Sequence, residues 1–125
     1  MQSWTASEEA VIQQVVAPGL EDLGYNVSVG SVLAAGHVAD VIAVKDGETL
    51  IFEIKAGRYL PSHALYQARL LKAISRGRFP NAVVIVGTTA ALPDSEKERF
   101  RRNDVFAMRI GESQEEFERN LTAAF

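Results

Sequence analysis

The chain has 125 residues, a length that suits one domain with a single real core. It is 47% hydrophobic and 23% charged with a net charge of −3, which fits a globular chain rather than a disordered one and does not advertise a nucleic-acid binder, although local basic clusters can still bind phosphate. It has no cysteine, which excludes disulfides, cysteine-based zinc sites, iron–sulfur clusters and thiol catalysis. The first residues, Met-Gln-Ser-Trp-Thr, lack the basic-then-apolar pattern of a signal peptide, and no apolar run approaches a membrane span, so a cytoplasmic location away from membranes is expected.

In chain order, Thr5 and Glu8 fit a capping box. Val11, Ile12, Val15, Val16, Leu20 and Leu23 then recur at helical spacing, which predicts a helix from about Ala6 to Leu23. Pro18-Gly19 is expected to bend or split it, and Gly24 to stop it. Alternation over 25–33 predicts a strand, and Val38 to Lys45 a second. Asp46-Gly47 is a hairpin signal, because a tight turn needs positive φ, and Thr49 to Ala56 is the third strand. Ser62 is expected to cap a helix running to about Arg76. Asn81 to Thr88 contains Ala-Val-Val-Ile-Val and reads as a strand buried on both faces. A short charged helix over 93–102, an edge strand over 105–109 and an amphipathic helix over 113–123 are expected to follow. The order predicts an α/β fold, a three-layer α-β-α sandwich with a central mixed sheet. The fourth strand follows a crossover helix and is expected to lie parallel to its neighbour.

Charges interrupt strands that otherwise look buried. Glu53 and Lys55 are two apart and share a face, while Phe52, Ile54 and Ala56 point into the core. A two-residue loop at Asp46-Gly47 would pair Lys45 with Glu48, and then Asp40 with Glu53. Two facing carboxylates call for a positive charge between them, and a divalent cation is the natural candidate. A lysine beside such a site can orient or deprotonate a water, or balance phosphate charge. The grouping suits metal-assisted hydrolysis of a phosphodiester. The plainer alternative is a solvent-facing pair of strand charges.

Asp40, followed thirteen residues later by Glu53-Ile54-Lys55 at the end of an apolar strand, resembles the PD-(D/E)XK, or restriction-endonuclease-like, nuclease superfamily. The element order over Ser7 to Thr88 is similar to that superfamily's core, and the spacing is similar to that of small Holliday-junction-resolvase-like members. The resemblance implies one nuclease-like domain over 1–125, with Asp40 and Glu53 as ligands of Mg2+ or Mn2+ and Lys55 as the catalytic lysine. Ala39 stands where the motif's name has Pro. Some relatives add an acid from the first helix; Glu8 and Glu9 are the candidates and Glu9 is favoured, against a plain helix-dipole role for both. Gln67 lies at helical spacing with Leu70, Leu71 and Ile74, so its amide needs a buried partner. RecB-like relatives place a Gln in this helix with Tyr four residues on, but position 71 is Leu here, so Gln67 is either a site residue or a structural hydrogen-bonder.

His37 and His63 do not make a zinc site. Arg58, Lys72, Arg76 and Arg78 follow the motif and are the candidate DNA contacts, with Lys72 and Arg76 at i, i+4. The expected function is a magnesium-dependent endonuclease acting on DNA, including branched or junction DNA, as a homodimer. The alternative is a catalytically silent module of the same fold that binds protein or nucleic acid.

Overall fold

The computed structural model describes residues 8–34 and 36–125. The expected cap at Thr5 and helix start at Ala6 lie outside them. The N-terminal helical segment comprises α1 (Glu8–Val11), one π-helical turn (Ile12–Val16) and α2 (Ala17–Asp22). The Ala17 amide reaches back five residues to the Ile12 carbonyl. Pro18 lacks an N–H, and its ring crowds the carbonyl of Gln14 four residues back. The widened turn relieves that crowding, so the distortion falls one turn ahead of Pro18-Gly19 rather than at it. Pro18 itself sits in the first turn of α2, where no N–H is missed.

Five strands follow the expected order: β1 (Asn26–Ala34), β2 (His37–Lys45), β3 (Glu48–Lys55), β4 (Val83–Thr88) and β5 (Phe106–Arg109). They lie side by side in sequence order, β1–β2–β3 antiparallel and β3–β4–β5 parallel. The hairpin between β2 and β3 turns on Asp46 (φ 51°) and Gly47 (φ 81°) and pairs Lys45 with Glu48. Positive φ at both positions is the type I′ geometry that matches the twist of the strands. β4 is buried from Val84 to Thr88.

The remaining helices are α3 (Ala64–Ser75), α4 (Asp94–Arg101) and α5 (Gln114–Ala124). Ser62 does not cap α3: His63 precedes the helix without a side-chain cap, and the Ala64 amide bonds the Pro61 carbonyl at 3.0 Å. Ser113 does cap α5, its Oγ accepting from the Glu116 amide at 3.1 Å. Two cores flank the sheet. On one face Val11, Val15, Leu20, Phe52, Ile54 and Phe117 pack between the N-terminal segment, β3 and α5. On the other, Ile51, Ala68, Leu71, Val84 and Phe100 pack between the sheet, α3 and α4. Helix on sheet on helix is the three-layer α/β sandwich with a central mixed sheet. Both crossovers leave the C-terminal ends of β3 and β4 together, at the end of the sheet opposite the Asp46-Gly47 turn, which is where open α/β sheets place their sites.

Candidate active site at the C-terminal end of β3

Asp40 stands at a break in the sheet. In a hairpin closed by a two-residue turn, hydrogen-bonded rungs recur at every second residue. Here they fall at Lys45–Glu48, Ala43–Leu50 and Val41–Phe52, so the next would join Ala39 to Ile54. The pairing stops at Val41–Phe52, and the Ile54 amide donates instead to Asp40 Oδ2 at 2.7 Å. The expected Asp40–Glu53 rung is therefore not formed, because β2 and β3 splay one residue short of it. On the other side Val29–Val41 and Ser31–Ala39 flank the break, and the residue facing Asp40 is Gly30, at φ +65°.

Glu53 and Lys55 share a face, as alternation demands, with Nζ 3.5 Å from Oε2. Their side chains are only 21% and 15% exposed, so solvent screens the pair weakly. Burial raises the Asp40 carboxyl above its ordinary value; the Ile54 amide and Lys55 oppose the shift and Glu8 adds to it. Burial also raises Glu53, the Asp40 charge raises it further, and Lys55 draws it back. Both acids remain shifted upward, so the one lysine does not offset burial and mutual repulsion.

On the first helix it is Glu8, not the favoured Glu9, that lies near the two acids. Glu8 Oε2 lies 3.4 Å from the Ala56 amide and its charge acts on both Asp40 and Glu53. Both glutamates are exposed, but Glu9 is not among the charges acting on either acid. The extra residue held by the π-helical turn shifts the phase of everything before it.

Gln67 lies beside Leu71 as its helical phase predicts, but Leu70, expected on the same buried face, is 41% exposed, because it sits at the rim of that face. Gln67 lines a pocket of about 160 Å³ with Glu53, His37, Val38 and Leu70, and its buried Oε1 has no hydrogen-bond partner among the described residues. Arg58 is exposed just past β3, and Arg76 is exposed at the end of α3. Lys72 is held: its Nζ donates to the Ala82 carbonyl at 3.3 Å and pairs with Asp104 at 3.3 Å. Arg78 donates to the Val32 carbonyl at 3.0 Å and covers the Phe79 ring. The basic stripe expected of Lys72 and Arg76 is thus half occupied by packing duties.

Sequence reasoning missed Thr89. Its amide donates to the Lys55 carbonyl at 3.2 Å, and its Oγ1 both accepts from the Gly57 amide at 2.9 Å and donates to the Gly57 carbonyl at 3.1 Å. The hydroxyl extends the β3–β4 ladder one step past its last rung and fixes the segment that carries Lys55. The available signal was two threonines closing a fully apolar strand.

Among the described residues, no three Asp, Glu, His or Cys side chains converge as a preformed metal cluster. Magnesium is commonly held by one or two carboxylates with waters completing the shell. Two shielded acids that repel each other, with an unpaired amide oxygen nearby, are a hard-oxygen donor set of that kind. The residues fit such an ion.

No sequence profile of a known family matches the chain, and no curated protein matches it. Solved structures do. A repair endonuclease from Pyrococcus abyssi superposes with a TM-score of 0.60 at 17% identity, over 86% of this chain and 46% of that one. The protein of an EndoMS–dsDNA complex gives 0.63 at 15% identity, over 87% and 45%. An fdxN element excision controlling factor protein from Anabaena variabilis gives 0.60 at 17% identity, over 87% and 92%. The chain spans just under half the length of the first two. These likenesses establish a restriction-endonuclease-like fold.

Proposed function

We propose that this protein is a divalent-metal-dependent endonuclease that hydrolyses DNA phosphodiester bonds, branched or junction DNA included. One observation carries the reading: at the exposed end of the central strands, Asp40 leaves the ladder and two buried-shifted acids lie beside Lys55. The fold is shared with a structure described as a repair endonuclease and with one described as a complex with double-stranded DNA.

In this reading Asp40 and Glu53 hold Mg2+ or Mn2+, with Glu8 adding negative charge from α1. The ion, when bound, acidifies water and offsets phosphate charge. Lys55 orients the attacking water and balances the charge that develops on the phosphate. The Ile54 amide holds Asp40 in one orientation, and the Thr89 hydroxyl holds the backbone on which Lys55 stands. Gln67 Oε1 faces a proton donor only once the site is filled. Arg58 and Arg76 contact the backbone phosphates, and a second copy of the chain supplies a site for the second strand.

A second reading has specific support. The Lys55–Glu53 contact and the lack of a three-acid cluster among the described residues are what a silent binding module of this fold would keep. One experiment separates them. Plasmid, linear duplex, four-way junction and single strand are incubated with Mg2+ or Mn2+, beside Lys55→Ala, Asp40→Asn and a chelator control. The nuclease cuts at least one form with metal, and each variant loses about 10²–10⁴-fold in rate. If no form is cut, the module reading stands, and cutting that both variants retain overturns the assignment of Asp40 and Lys55.

A further inference from the structure

We infer that the segment from Arg58 to Arg76 forms a base-stacking platform for single-stranded nucleic acid, running from the Glu53 pocket along the outer face of α3. This rests on the nuclease reading only for its purpose, since the surface itself is argued from exposure and charge. Tyr59 is 84% exposed and Tyr66 is 67% exposed. Neither hydroxyl nor either ring meets a partner among the described residues, although an aromatic side chain usually buries most of its area. By contrast Tyr25, at the far end of the sheet, bonds Glu48 at 2.8 Å and carries Lys45 over its ring.

The spacing is ordered. Tyr66, Arg69, Ala73 and Arg76 recur at i, i+3, i+7 and i+10, which is one helix face. They line a groove of about 400 Å³ whose other wall carries Asn103 and Asp104. Leu70, 41% exposed, borders both this groove and the Glu53–Gln67 pocket, so the two are neighbours across one side chain. From Tyr66 to Arg76 the face is about 15 Å long at 1.5 Å per residue. At about 3.4 Å per stacked nucleotide that accommodates about four.

Charge decides what the groove takes. Arg58, Arg69 and Arg76 have no acid partner among the described residues, whereas Arg99 and Arg101 on α4 are paired with Glu96 and Glu98. The acid on the groove's wall, Asp104, is offset by Lys72. Free guanidiniums beside bare aromatic rings match phosphates alternating with bases. A closed duplex hides the faces of its bases in its own stack, so the tyrosines discriminate for unpaired nucleotides.

The test measures fluorescence anisotropy of a labelled oligo-dT strand and of a duplex of equal length, with chelator present so that nothing is cut. The parent protein binds the single strand about tenfold tighter than the duplex. Tyr59→Ala with Tyr66→Ala weakens the single strand by about 10- to 100-fold and leaves the duplex within about twofold, because stacking acts on each base separately. Tyr59→Phe with Tyr66→Phe restores single-strand binding. Arg69→Ala with Arg76→Ala flattens the salt dependence of single-strand binding by about 1.4 units of slope. All four tyrosine replacements lie at exposed positions, so the fold is retained. No binding of the single strand, no preference over duplex, or unchanged binding by the alanine pair overturns the platform. A protein that binds as described yet cuts nothing with Mg2+ or Mn2+ sinks the nuclease reading and leaves the platform standing.

Discussion

The Ile54 amide donates to the Asp40 carboxylate at 2.7 Å, at the rung where β2 would otherwise have offered the Ala39 carbonyl. A side chain has replaced a backbone acceptor, and the strands part as a result. An amide left without an acceptor in this setting costs about 1–3 kcal/mol. Asp40→Ala removes the acceptor, while Asp40→Asn keeps an oxygen and loses the charge. In urea unfolding near neutral pH, Asp40→Ala is expected to be less stable than Asp40→Asn by about 1 kcal/mol. Equal stabilities would show that the carboxylate does not carry this amide.

The site acids work against stability at neutral pH. Asp40 and Glu53 are both raised above their ordinary values, chiefly by burial. The folded state therefore holds its protons longer than the unfolded chain does. Stability from these groups is full below the ordinary carboxylate range, about pH 4, and is lost as pH rises through the raised folded values. Glu53→Gln mimics the protonated acid. Calorimetry is expected to give it a higher Tm than the parent near neutral pH and the same Tm in acid. A lower Tm near neutral pH would mean that Lys55 outweighs burial at Glu53.

Adding Mn2+ is expected to raise the Tm of the parent, since a ligand at about a hundred times its Kd contributes about 2.7 kcal/mol. Asp40→Asn abolishes the shift. Glu8→Gln reduces it, because the Glu8 charge acts on both acids, and Glu9→Gln leaves it unchanged. A larger loss at Glu9 than at Glu8 would reverse the assignment of the helix acid.

Gly19 allows α2 to lie against α5. A Cβ at this position would sit 2.7 Å from Cδ2 of Phe117, whose ring packs 6.2 Å from that of Phe52 in the core. Alanine favours a helix over glycine by about 1 kcal/mol, but forcing a methyl into a filled core costs about 1–3 kcal/mol. Gly19→Ala is expected to be destabilised in urea unfolding, with nucleic-acid affinity unchanged because the contact lies on the sheet face away from α3. A variant at least as stable as the parent would show that Phe117 yields freely.

Features set by neighbouring residues were legible in the sequence. Asp46-Gly47 announced its turn because Asp-Gly is among the few pairs that meet two positive φ values readily. Glu53 and Lys55 declared a common face by alternation alone, and Gln67 declared a buried amide by its phase against Leu71, although Leu70 beside it proved exposed. What required coordinates was set by more distant contacts. The splay at Asp40 depends on a rung that fails, and nothing in His-Val-Ala-Asp marks it. Lys72 looked free until the turn before β5 brought Asp104 to it. Ser62 looked like a cap, but the Pro61 carbonyl took the Ala64 amide that it would have served.

The π-helical turn has a consequence for how this chain tolerates changes in length. Bonding from Ala17 back to Ile12 stores one surplus residue in the middle of the N-terminal helical segment. Remove one residue there, Gln13 or Gln14, both of which face solvent, and the backbone can rewind as an ordinary α-helix. The side chains upstream would then keep their places, because only the surplus residue has gone, and Glu8 would stay beside Asp40 and Glu53. Losing one residue turns the upstream face of an ordinary helix by about 100°, but here the slack in the widened turn would absorb the loss.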